Sequence, residues 1–121
     1  VYEWNKTIIA AYPGEIIPPE NSFYTYEEKY SEKSHTVVDI KAKNLSPKTS
    51  DEIQQIAIEA FKLLKLRHLS RVDFFLTQNH GIYINEINTF PGLTPISMFP
   101  KMMEANGHAF QTFLEGIILN S

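Results

Sequence analysis

Two short apolar runs separated by a turn, Arg71–Leu76 and Ile82–Asn88, constrain this chain more than any other stretch. Arg71-Val72-Asp73-Phe74-Phe75-Leu76 has the aromatic and β-branched bias of a strand, and so does Ile82-Tyr83-Ile84-Asn85-Glu86-Ile87-Asn88. Gln78-Asn79-His80-Gly81 has turn chemistry, because Gly81 can take a positive φ without strain. Thr89-Phe90-Pro91-Gly92 ends the second strand. A hairpin loop running from Gln78 to Gly81 sets Thr77 opposite Ile82 and Phe75 opposite Ile84. The same register sets Asp73 opposite Glu86 and Arg71 opposite Asn88. Side chains alternate with period 2, so these last four polar residues share one face. Directly opposed residues lie about 5 Å apart at Cα. Two carboxylates held that close repel unless a cation lies between them. Mg²⁺ accepts carboxylate and amide oxygens and takes its other ligands from water and phosphates. An ordinary Arg–Asp pair on a solvated polar face satisfies the same pattern.

The literal string adds to this. Asn85-Glu86-Ile87-Asn88-Thr89-Phe90-Pro91-Gly92, preceded by Arg71-Val72-Asp73, resembles the C-terminal part of the D-alanine–D-alanine ligases, members of the ATP-grasp superfamily. Pro13-Gly14-Glu15-Ile16-Ile17-Pro18, followed by Phe23-Tyr24-Thr25-Tyr26-Glu27-Glu28-Lys29-Tyr30, is similar to a second stretch of that family. The resemblance runs from about Pro13 to the C-terminus. Upstream, Val1-Tyr2-Glu3-Trp4-Asn5-Lys6 departs from the Gly-Arg-Glu strand motif usual in the family, and no function is assigned to Glu3.

The resemblance implies an α+β fold: an ATP-grasp C-terminal subdomain over 1–121, a mostly antiparallel sheet with helices packed on one face. The N-terminal substrate domain and the central ATP-clamping subdomain do not fit in 121 residues. By the same resemblance, Asp73, Glu86 and Asn88 ligate two Mg²⁺ or Mn²⁺ ions, with Glu86 between them. Arg71 and the Gly92 N–H stabilise a tetrahedral oxyanion, where donors must face developing charge. Lys29 reaches the ATP phosphates from a mobile loop, and Tyr30 stands beside the second-substrate pocket and favours dipeptide over depsipeptide products. Ser97 and the Met98 N–H hold the carboxylate of the second D-alanine, and Phe75 packs beneath the adenine. The implied reaction joins two D-alanines through an acyl phosphate for peptidoglycan synthesis, cell wall biogenesis and cell shape. The whole enzyme is expected to be a cytoplasmic homodimer, and the segment alone to be inactive. Other ATP-grasp carboxylate–amine ligases share the metal pattern, and a non-catalytic module with this fold is a further alternative.

The rest of the chain is consistent with one domain or less. Apolar residues make up 43% of it, enough for a core, and the net charge of −3 gives no reason to expect nucleic acid or an acidic membrane as partner. There is no cysteine, hence no disulfide framework and no thiolate metal site. No run of about 18 apolar residues suggests a membrane span, and no signal-peptide pattern is visible. The first residue is not Met, which suggests part of a longer polypeptide. Thr7–Ala11, Gly14–Pro19 and Thr36–Ile40 are strand candidates. Thr49 with Glu52 has the form of a capping box opening a helix whose apolar face is Ile53, Ile56, Ala57, Ala60, Phe61 and Leu64. A helix containing Pro100 in its first turn ends at Asn106-Gly107, and a last one spans Ala109–Leu119; both are expected to cover one sheet face. His35, His68, His80 and His108 lack partners at ligand spacing and are read as structural.

Overall fold

In the computed structural model, which describes residues 1–17, 37–79, 81–94 and 96–120, the first element is a tight hairpin. β1 (Tyr2–Trp4) and β2 (Thr7–Ile9) pair antiparallel, with Tyr2 opposite Ile9 and Trp4 opposite Thr7. The connecting residues Asn5 and Lys6 have φ of 49° and 66°. Left-handed backbone at both central positions is what a two-residue hairpin needs to match strand twist. The strand expected at Thr7–Ala11 is therefore shorter, and it has a partner that the sequence did not suggest.

β1 also lies beside the approach to the central hairpin. Glu3 N–H donates to the His68 carbonyl at 2.9 Å, and Ser70 N–H donates to the Val1 carbonyl at 2.9 Å. The Glu3 carboxylate accepts from His68 N–H at 2.8 Å and from Arg67 Nε at 3.2 Å. His68 sits at φ 66°, so this carboxylate fixes a turn that the backbone alone disfavours. Glu3 thus has a structural role.

β3 (Glu15–Ile17) pairs antiparallel with β4 (Val37–Asp39). α1 (Pro47–Leu63) follows. Its N-cap is Ser46, whose Oγ accepts from Thr49 N–H at 3.1 Å. The capping box expected at Thr49 and Glu52 is not formed. Pro47 is the first helical residue, where its missing N–H costs nothing. Ile53, Ala57 and Phe61 are buried along the inner face, as the periodicity requires. Leu64 falls outside the helix as its C-cap and is exposed. Lys65 then turns left-handed, and Leu66 N–H closes back on the Phe61 carbonyl at 3.0 Å. Gln54 Nε2 donates to the Ala10 carbonyl at 2.9 Å, tying α1 to the end of the first hairpin.

β5 (Arg71–Leu76) and β6 (Ile82–Asn88) form the central hairpin. α2 (Met98–Ala105) and α3 (Phe110–Asn120) end the chain. Gly107, at φ 91°, makes the turn between them. Pro100 lies in the first turn of α2. The α+β antiparallel class holds. Among the described residues the strands form three separate two-stranded pairs. The core lies between the first hairpin and the last two helices: Tyr2, Phe99, Met103 and Phe113 are buried together, with Trp4, Leu69, Phe110 and Ile117 against them. The two helices therefore cover the short β1–β2 ribbon.

Tyr2 is fully buried, and its hydroxyl needs partners. It hydrogen-bonds His108 Nδ1 and accepts from Asn106 Nδ2 at 3.0 Å. Burial raises the pKa of its phenol, partly offset by the Asn106 bond. Trp4 stacks on the His108 ring with centroids 4.2 Å apart. His108 is thus a packing residue, as the sequence indicated. His35 and His80 lie outside the described residues.

The cap assignment has a direct test. Ser46→Ala should lower unfolding free energy by about 1 kcal/mol, measured by urea denaturation. Glu52→Ala, at an exposed position with no cap bond, should stay within about 0.5 kcal/mol of the parent.

Candidate functional site

The β5–β6 register brings the expected polar group together. Arg71 stands opposite Asn88, and Asp73 opposite Glu86. Arg71 Nε donates to Asp73 Oδ1 at 2.8 Å, and Nη2 to Asp73 Oδ2 at 3.0 Å. Nη2 also reaches Glu86 Oε1 at 3.4 Å. One guanidinium thus spans both carboxylates. Its planar fork matches the Asp73 carboxylate with two near-parallel bonds. The Arg71 and Asp73 side chains are half-shielded, at 24% exposed each, whereas Glu86 is more open at 45%. Asn88 Oδ1 accepts from Phe90 N–H at 2.9 Å, which fixes the direction of the amide as the strand ends.

Toward the hairpin tip the expected register fails. The pairing shifts by one residue between Asp73 and Phe74, so Phe74 faces Ile84, Phe75 faces Tyr83 and Leu76 faces Ile82. Asn85 is the extra residue of a β-bulge. The loop is correspondingly tighter: Thr77 N–H donates to the Gly81 carbonyl at 3.0 Å. The Gly81 backbone N–H bonds Thr77 Oγ1 at 2.9 Å. Phe75 and Tyr83 form a directly opposed aromatic pair, about 60% exposed on each side (61% and 60%). Tyr83 was not singled out in the sequence, because only the bulge carries it opposite Phe75.

Gly92 and Ser97 make a second group. A Cβ on Gly92 would fall 2.9 Å from Ser97 Oγ and would force that hydroxyl to move. Ser97 Oγ accepts from Thr94 N–H at 3.1 Å and shares a hydrogen bond with Thr94 Oγ1 at 2.7 Å. Ser97 is the N-cap residue of α2 but makes no side-chain capping bond, because its hydroxyl is turned back to Thr94. The start of α2 is therefore left without a capping side chain, and the dipole there favours an anion. Thr94 is a further residue that sequence reasoning missed. Only residues 89–91 separate Asn88 from Gly92, which keeps the two groups within about 14 Å at Cα.

A cleft of about 610 Å³ runs along β5 from Ser70 to Leu76 and reaches the start of α2. Arg71, Asp73, Phe75 and Met98 all line it. Met98 extends to Gly14, where a Cβ would lie 2.9 Å from its Cε. Met103 is buried and Met102 also faces this cleft, so both serve packing. Lys29 and Tyr30 lie outside the described residues.

Among the described residues no three His, Cys, Asp or Glu side chains converge. The oxygen set at the hairpin is two carboxylates and one amide. It suits a hard divalent cation that draws its other ligands from water and a substrate phosphate, and suits a softer metal poorly. No helix among the described residues is long and apolar enough to cross a membrane.

The family model described as D-ala D-ala ligase C-terminus matches residues 1–119. The chain is 55% identical over 118 residues to a D-alanine–D-alanine ligase of Aeromonas salmonicida, covering 98% of this chain and 36% of that protein. Its fold matches D-alanyl-alanine synthetase A from Vibrio cholerae with a TM-score of 0.85 at 55% identity, over 98% of this chain and 36% of the other. It also matches the D-alanine–D-alanine ligase from Bacillus anthracis complexed with ATP, with a TM-score of 0.64 at 26% identity, over 87% of this chain and 33% of the other. The chain thus spans about a third of the length of the relatives it matches, and it belongs to the D-alanine–D-alanine ligase C-terminal family.

Proposed function

We propose that the full-length protein is an ATP-dependent ligase that joins two D-alanines into D-alanyl-D-alanine through an acyl phosphate, for peptidoglycan synthesis and cell shape. The observation that carries this reading is the convergence of Arg71, Asp73 and Glu86 on one hairpin face, with Asn88 in register beside them. Asp73, Glu86 and Asn88 would hold two Mg²⁺ or Mn²⁺ ions. Bound there, the ions would supply charge neutralisation for the phosphoryl groups.

The chain's own residues then divide the work. Phe75, with Tyr83 opposite, offers an apolar ledge on which an adenine ring can rest. By resemblance to the family, Lys29 engages the ATP phosphates. The second D-alanine is held by its carboxylate at the start of α2, by the Ser97 hydroxyl and the Met98 N–H. For that, Ser97 Oγ must donate to the carboxylate; its present bond with Thr94 Oγ1 allows either direction. By the same resemblance, Tyr30 belongs to the acceptor site. Attack of the amine on the acyl carbon develops an oxyanion, to which Arg71 and the Gly92 N–H donate. Phosphate leaves as the peptide bond forms. The protein would act in the cytoplasm, where ATP is made, as a homodimer.

Incubated with ATP, Mg²⁺ and D-alanine, the full-length protein should release one phosphate per dipeptide formed. Phosphate release that does not depend on D-alanine contradicts the reading. Asp73→Asn should lower kcat/KM by about 10²-fold or more while leaving the circular dichroism spectrum unchanged. The segment 1–121 alone should show no D-alanine-dependent phosphate release in the same assay, since it spans about a third of the length of the ligases it matches; measurable turnover would mean that these residues suffice.

A further inference from the structure

The position of the Arg71 guanidinium raises a question of occupancy. Nη2 lies 3.0 Å from Asp73 Oδ2 and 3.4 Å from Glu86 Oε1, between the two carboxylates. A divalent ion held by those two carboxylates would need the oxygens that the guanidinium now engages. Two cations totalling three charges cannot share that pair without strong repulsion. We propose that Arg71 and the divalent cation compete for the Asp73–Glu86 pair, so that cation binding displaces the guanidinium toward the substrate side of the hairpin. This rests on reading Asp73 and Glu86 as metal ligands.

The arrangement gives one side chain two successive tasks. Without metal, Arg71 neutralises two opposed carboxylates and keeps them aimed at a common point. Nε and Nη2 hold both Asp73 oxygens, at 2.8 and 3.0 Å, so the carboxylate is oriented before any ion arrives. With metal, the carboxylates no longer need Arg71. Its guanidinium becomes available to the oxyanion that forms when the amine attacks. Delivery of this donor is thereby tied to loading of the cation. A guanidinium that stayed on Asp73 would have its Nε and Nη2 hydrogens directed at the carboxylate and not at the substrate.

The test is Mn²⁺ binding to the full-length protein without nucleotide, followed by electron paramagnetic resonance. Removing the competitor with Arg71→Met should tighten the Mn²⁺ dissociation constant by about fivefold or more. Arg71→Lys, which keeps the charge but loses the fork, should fall between. A dissociation constant for Arg71→Met equal to or weaker than that of the parent overturns the competition. The wild-type protein gives a second readout that needs no folded Met variant. In ¹⁵N spectra, with the signal assigned by its absence in Arg71→Lys, the Arg71 Nε–H resonance should shift and exchange faster with water when Mg²⁺ is added. An unchanged resonance at saturating Mg²⁺ also overturns the proposal. Asp73→Asn separates the two readings. Parent Mn²⁺ binding that is lost in Asp73→Asn but not tightened in Arg71→Met leaves the metal ligands standing and removes only the exchange. No Mn²⁺ binding by the parent removes both.

Discussion

Two carboxylates facing each other across an antiparallel pair are an electrostatic conflict, and the central hairpin is built around its resolution. Asp73 and Glu86 are directly opposed, where like charges ordinarily destabilise a sheet. The conflict is relieved by a positive group drawn from the same strand. Arg71 lies two residues before Asp73, on the same face, and its side chain is long enough to reach across to Glu86. Any slip of register by one residue would turn Glu86 to the other face and leave Asp73 with Arg71 alone. The bulge at Asn85 makes the base of the hairpin independent of its tip. The loop can tighten while the Asp73–Glu86 pairing stays in place.

The remaining elements hold this hairpin and its following loop still. β1 pairs with residues 68–70, so the entry to β5 is fixed by backbone hydrogen bonds and by the Glu3 carboxylate. On the other side, Phe99 and Met103 anchor α2 in the core against Tyr2. The start of α2 thereby has a fixed position, and Ser97 and Met98 with it. Between these anchors runs a loop held by short local bonds, Asn88 to Phe90 and Ser97 to Thr94. Precision at the site thus comes from a small core that lies behind it. That arrangement keeps the donors on the hairpin and at the start of α2 aimed.

The base of the hairpin was legible in the sequence because polar residues alternate there with apolar ones. Arg71, Asp73, Glu86 and Asn88 stand at spacings that only one face can satisfy. The tip was not legible, because a loop one residue shorter fits the same apolar pattern once a bulge absorbs the difference. Phe75 consequently met Tyr83 instead of Ile84. At α1, Ser46 and Thr49 are both capping residue types, and Pro47 favours Ser46 by suiting the first helical position. The first hairpin was hidden because its turn uses Asn5 and Lys6 with no glycine to announce left-handed backbone. Thr94 carried no signal at all. Its role comes from a loop that folds Ser97 back onto it across Gly92. The family resemblance named Ser97 and Gly92 separately; their direct contact is a fact of the fold.

Whether one hairpin face, held by the Asp73–Glu86 pairing, presents oxygen donors to a divalent cation can be read from anomalous scattering by Mn²⁺ in crystals of the full-length protein with a non-hydrolysable ATP analogue. The expected peak lies within about 2.3 Å of oxygens from Asp73, Glu86 and Asn88. Well-ordered crystals with bound nucleotide, in which manganese lies on other residues or Asp73 remains paired to Arg71 with no peak beside it, would contradict this reading.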